Sequence, residues 1–202
     1  RLSAVIGKVY DCTIDPALWP DALESACGLI GATMGSVAIF DFQQIVARWS
    51  AQWGGDLAWT QLYQEKYAAM MPFWPAMRRE EVGDISDTRR LCEKIGISTE
   101  EFRESRFFQE WAKPAGYHDV IACTIMRSGS QIGAFQMHTP PTRDLVGPRE
   151  LAIAEFLTPH VRRAVIIGNL LDMRSIISTA FESTLEALSL AVVLVDSNAR
   201  IR

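Results

Sequence analysis

Between His118 and Thr139 the chain reads HDVIACTIMRSGSQIGAFQMHT. Two strand-like runs, His118 to Arg127 and Gln131 to Thr139, flank Ser128-Gly129-Ser130, a turn signal of the kind that closes an antiparallel hairpin. Working upstream, Val37-Ala38-Ile39-Phe40 reads as a buried strand within Ser36–Asp41. Gln44 to Trp53 alternates loosely as its partner and stops at Gly54-Gly55. Asp56 caps a helix through Leu57, Trp59, Leu62, Tyr63 and Tyr67, and Met71-Pro72-Phe73-Trp74-Pro75 is a proline-punctuated loop. Gly83 to Asp87 fits a short strand or turn, and Thr88 to Ile95 a short helix ending at Gly96. Ser98 with Glu101 forms a capping box that opens a helix running to Trp111.

The flanks complete the plan. Residues 1–14 and the segment from Trp19-Pro20 to Ile30 carry apolar positions at helical spacing. Downstream, Pro148 to about Leu188 is the strongest helix signal, and at 1.5 Å per residue it would span roughly 60 Å. Pro159 lies inside that run, so a break or kink is expected near Thr158. Nothing alternates as β-α-β. The order specifies an α+β domain with a central antiparallel sheet, one face covered by terminal helices and the other by the segment between strands.

Composition narrows the function classes. The 202 residues are 49% hydrophobic and 22% charged, with a net charge of −4, which argues against this segment gripping nucleic acid. Sixteen arginines against four lysines favour fixed, fork-shaped ion pairs. No apolar run is long enough to span a membrane and no signal-peptide pattern is present. Cys12, Cys27, Cys92 and Cys123 are scattered, as are His118, His138 and His160. The expectation is therefore buried thiols in a reducing, cytoplasmic setting, with no metal and no cofactor. The start at Arg1 and the end at Arg202, just after a strand-like run, suggest a piece of a longer protein.

Several motifs carry a family resemblance. Val9-Tyr10-Asp11 with Asp15-Pro16-Ala17-Leu18-Trp19-Pro20 resembles the amino-terminal region of bacterial LuxR-type regulators. Phe107-Phe108-Gln109-Glu110-Trp111 with Pro114-Ala115-Gly116 is similar to their segment leading into the hairpin. Leu157-Thr158-Pro159-His160-Val161-Arg162-Arg163-Ala164 is similar to their Leu-x-Pro-His signature. The tail Ala191–Arg202 resembles the first two strands of a PAS-type segment. The resemblance implies a GAF/PAS-like sensor domain over 1–147, a connecting helix over 148–188 and the start of a truncated PAS-like segment over 189–202. It further implies a carboxy-terminal DNA-binding module that these residues do not contain. Trp59-x-x-x-Tyr63, followed by Tyr67 and Pro72, is similar to acyl-homoserine-lactone receptors. Met71 stands where their Asp-Pro pair has aspartate, so the acidic acceptor is missing there and such a lactone is disfavoured.

The aromatic density from 49 to 74 is the most informative chemistry. Trp49, Trp59, Tyr63, Tyr67, Phe73 and Trp74, with Trp111, are the candidate walls of a pocket for an unidentified small molecule, against the plainer reading of an ordinary core. Val161, Ala164, Gly168 and Leu171 are the candidate seam of a homodimer. No nucleophile, base and orienting group can be assembled, so an enzyme is not expected. His118-Asp119 are adjacent strand residues on opposite faces, and Cys123 has no cation nearby to activate it. Glu80-Glu81 and Glu100-Glu101 read as exposed charge. Two functions remain: a ligand-sensing regulatory domain that relays through the long helix, or a dimerisation or protein-interaction module that holds no ligand.

Overall fold

Five strands pair in one antiparallel sheet in the computed structural model, which describes residues 1–187 and, for side chains, 1–172 apart from Trp49. They are β1 (Met34–Asp41), β2 (Val46–Gly54), β3 (Ile85–Asp87), β4 (Asp119–Ser128) and β5 (Gln131–Thr139), in spatial order β2-β1-β5-β4-β3. The β4–β5 hairpin sets Ser128 opposite Gln131 and turns through Gly129, whose φ of 55° is left-handed. β1 pairs with β5 along its length, from Met34 opposite His138 to Asp41 opposite Gln131.

Strand alternation divides the hydrophobic residues into two cores, one per face. Phe135 and Met137 of β5 and Ile121, Cys123 and Ile125 of β4 point to the first face. There they meet α1 (Leu2–Asp11), α2 (Trp19–Ile30) and α7 (Pro148–Ala187). α7 presents Leu151, Ala154, Leu157, Val161 and Ala164 at three- and four-residue spacing. α2 lies so near β1 that a Cβ on Gly35 would sit 2.6 Å from the Cys27 Sγ and force the thiol or the helix to shift.

The second face is covered by residues 56–117. This segment holds α3 (Leu57–Leu62), α4 (Trp74–Met77), α5 (Thr88–Ile95) and α6 (Thr99–Glu104). Asp56 caps α3 through Ala58 N–H, Asp87 caps α5 through Arg90 N–H, and the Ser98–Glu101 capping box opens α6. The helix expected from Asp56 to Tyr67 is not uniform: after Leu62 it widens into a π turn over Tyr63–Tyr67 and then a short 3₁₀ turn over Ala68–Met70. Likewise the helix expected from Ser98 to Trp111 stops at Glu104, and a second π turn spans Phe108–Ala112. α7 begins at Pro148, as expected, and continues through Pro159 without a break. Pro159 removes one backbone donor, and the Thr158 hydroxyl meanwhile donates to the Ala154 carbonyl at 2.6 Å inside the turn. The strand pair expected over 191–202 lies outside the described residues.

Candidate functional site

A cavity of about 90 Å³ lies between the second sheet face and its helical cover. Its floor is the even-numbered side of the strands: Met34 and Phe40 of β1, Ile132, Ala134, Gln136 and His138 of β5, and Val120, Ala122 and Thr124 of β4. Tyr63, Phe73, Phe102, Phe107 and Trp111 supply an aromatic roof, and Met71 and Met77 fill in beside them. The rings interlock: Tyr63 and Trp111 have centroids 5.0 Å apart, Phe107 and Trp111 5.1 Å, and Phe73 and Phe102 4.7 Å.

Both π turns deliver roof residues, Tyr63 from one and Phe108, Trp111 and Ala112 from the other. A π turn inserts one residue into a helical turn and re-aims the side chains around it, and such turns recur at functional sites. The two turns are braced to each other. Trp111 Nε1 donates to the Trp59 carbonyl at 2.9 Å, the Tyr67 hydroxyl donates to Glu110 at 3.3 Å, and Lys66 Nζ lies 3.6 Å from the same carboxylate. Arg106, through its hydrogen bond at 2.8 Å, holds the Glu110 carboxyl below the usual range.

Polar groups are few and specific. His138 faces the cavity against Tyr117, centroids 4.6 Å apart, and burial pushes its imidazole down to about 4, leaving it neutral near pH 7. Burial raises the Tyr117 phenol to about 12. Its hydroxyl occupies the space beside Gly55, where a Cβ would come within 2.6 Å of it; Gly55 also has a φ of 70°. The Tyr63 hydroxyl donates to Met71 Sδ at 3.2 Å. Asp119 accepts from the N–H groups of Thr88, Val120 and Val146, so its carboxylate ties α5, β4 and the lead-in to α7 together. That role is positional. Among the described residues no three His, Cys, Asp or Glu side chains converge as a metal ion requires.

The expected wall residues divide. Tyr63, Phe73 and Trp111 line the cavity. Trp74 does not: it is buried edge-on against Phe40 and Phe42 and donates to the Ala68 carbonyl at 2.7 Å, a structural core residue. Tyr67 points its hydroxyl to Lys66 and Glu110, and Trp59 contributes a packed ring and a carbonyl for Trp111. Trp49 stands opposite Ala38 in the β1–β2 pairing, and its side chain is outside the described set. The expected dimer seam also needs correction. Val161 and Ala164 are each 1% exposed, packed within their own chain, and Gly168 approaches Thr13, just after α1, whereas Leu171 is exposed. Glu80, expected to be exposed, is 4% exposed and lines the cavity. Sequence reasoning missed Glu80, His138, Gln136 and Tyr117. A signal existed for two of them, since Gln136 and His138 are polar residues at alternate positions of an otherwise apolar strand.

No protein-family model and no curated protein sequence matches the chain. Solved structures do. The LBD domain of VqsR from Pseudomonas aeruginosa superposes with a TM-score of 0.64 at 13% identity, covering 82% of this chain and 94% of that one. The chain has the fold of LuxR-family sensor domains. CepR2 from Burkholderia cenocepacia, described as an N-acylhomoserine-lactone-dependent LuxR-family transcription factor, gives 0.56 at 9% identity over 81% and 92%. The phycoerythrobilin-bound GAF domain of a cyanobacterial phytochrome gives 0.57 at 13% over 85% and 98%. The chain thus has the fold of this GAF domain as well, as the sequence resemblance implied. Among the described residues no helix is long and apolar enough to cross a membrane.

Proposed function

We propose that this chain is a ligand-sensing regulatory domain, in which a small molecule in the aromatic cavity biases the packing of α7 and, through α7, the geometry of a homodimer and a DNA-binding module elsewhere in the protein. One observation carries the reading: the cavity and α7 share a wall. β4 turns Val120, Ala122 and Thr124 toward the cavity and Ile121, Cys123 and Ile125 toward α7, so a side chain displaced on one face alters the packing on the other. Asp119 adds a hydrogen-bonded link from the cavity cover to the start of α7. The CepR2 and phytochrome neighbours, each described as ligand-dependent or ligand-bound, support a binding role for the same fold. A ligand shifts such an equilibrium only by its differential affinity for the two packings, so the relay needs the cavity to change shape with α7.

A second reading, an interaction module without a ligand, draws on the exposed row of α7. Phe156, Ile166, Ile167, Leu170 and Leu171 are all at least 37% exposed, an apolar face that a partner copy would cover. Native mass spectrometry against the denatured mass of the same sample separates the readings. A dimer with extra mass lost on denaturation is the expected result for the sensor. A dimer that stays bare after incubation with lysate metabolites supports the module.

A further inference from the structure

Within that cavity one group is out of balance. Glu80 is buried, and its Oε1 accepts from Lys94 Nζ at 2.8 Å and from the Ser86 hydroxyl at 2.9 Å. Its Oε2 is also buried and is reached by no hydrogen-bond donor among the described residues, and Glu80 is one of the residues that line the cavity. A buried carboxylate oxygen without a donor is costly and is retained where something else supplies the donor. Lys94 already compensates the negative charge, so the missing partner need not be a cation; a neutral N–H or O–H suffices. Among the described residues no lysine or arginine lines the cavity, while Glu80 and Asp119 do, beside the imidazoles of His118 and His138, so a carboxylate ligand would meet two acids and no fixed cation. The remaining wall is mainly aromatic, aliphatic and methionine-rich, with Gln136 and the hydroxyls of Thr60, Thr88 and Thr124 interspersed.

We infer that Glu80 Oε2 is the polar seat of the ligand, and that the cavity takes small, neutral, largely apolar molecules carrying one N–H or O–H donor while rejecting carboxylates. The Sequence pattern that would put an acidic acceptor before Pro72 has Met71 instead; Glu80 supplies a carboxylate to the same cavity from the segment after α4. At about 90 Å³ the cavity is smaller than the roughly 150 Å³ of dry cavity that holds a benzene, so a five-membered ring enters as Met34, Met71 and Met77 re-pack around it. This inference rests on the proposed sensing role, because it assigns chemistry to the same cavity.

The test compares pyrrole and furan, rings of nearly equal size of which only pyrrole carries an N–H, with propionate as the anionic probe, all by ligand-observed NMR titration of the whole domain. Pyrrole should bind about tenfold or more tightly than furan, propionate should not bind, and Glu80→Gln should bring the two rings to within about twofold. In that variant the Gln carbonyl stays with Lys94 and Ser86 and turns its NH₂ group to the cavity. Equal binding of pyrrole and furan to the unaltered domain, or tighter binding of propionate, overturns the role of Glu80 and leaves the cavity a ligand site. Absence of binding by all three probes overturns the cavity as a ligand site and this inference with it. The wild-type comparison decides even if the variant fails to fold.

Discussion

His138 shows how a single residue records its surroundings. Exposed in an unfolded chain it would titrate near 6.5; folded, burial beside Tyr117 lowers it to about 4, with Asp119 partly opposing the shift. Between these values the unfolded state binds a proton that the folded state does not, so stability falls as pH drops from about 6.5 and levels off near 4. The loss amounts to about 3 kcal/mol. The carboxylates held low, Asp41, Glu101, Glu110 and Glu150, lose their contributions only at lower pH, so the upper part of the window belongs to His138. Urea denaturation at a series of pH values should show this slope, and His138→Phe, which keeps a ring against Tyr117, should flatten it. A variant with an unchanged slope would refute the assignment. The buried thiols follow the same logic: burial raises Cys27 and Cys123 to about 12 and Cys12 and Cys92 to about 11, so they are inert packing residues.

At the scale of the element, α7 carries two faces with opposite duties. Leu157 is fully buried against β4, and Leu157→Ala should cost about 3–4 kcal/mol in chemical denaturation, since the sheet beneath cannot collapse into the space. Leu170, on the same helix, is 56% exposed and makes no part of the core. Leu170→Glu should leave the folding stability of a protomer within ~0.5 kcal/mol while shifting sedimentation from dimer toward monomer. If Leu170→Glu leaves the oligomeric state unchanged, the outer face of α7 is not the seam. The periodicity of α7 was visible in the sequence, but it marks an inner stripe and an outer row together. Val161 and Ala164 looked like a pairing seam because small and β-branched residues suit both a helix–helix contact and a helix–sheet contact. Only the position of β4 assigns them inward.

For the whole molecule, the arrangement of two cores on one sheet makes β4 and β5 the partition between cavity and relay. A bound guest should therefore slow amide hydrogen exchange in β4 and in the Pro148–Val165 part of α7, as well as in the cover from 56 to 117. Exchange changes confined to the cover would mean the cavity fills without reaching α7. The cover itself is assembled from short helices, two π turns and a proline loop, and it holds the residues that differ most from the sequence expectation.

The sequence alone determined the frame. The hairpin from His118 to Thr139, the caps at Asp56 and Ser98, the stop at Gly96 and the long helix from Pro148 are all set by interactions within a few residues, which local pattern reports directly. The tertiary structure decided what that frame encloses. Whether Tyr63 and Trp111 meet the cavity depends on which way two π turns aim their side chains, and a one-residue insertion in hydrogen bonding leaves no compositional trace. Glu80 reads as surface charge beside Glu81 because burial is a property of the neighbours, here Lys94 and Ser86, which lie 14 and 6 residues away along the chain. Periodicity shows that a residue has a face; only the packed neighbours show what that face meets.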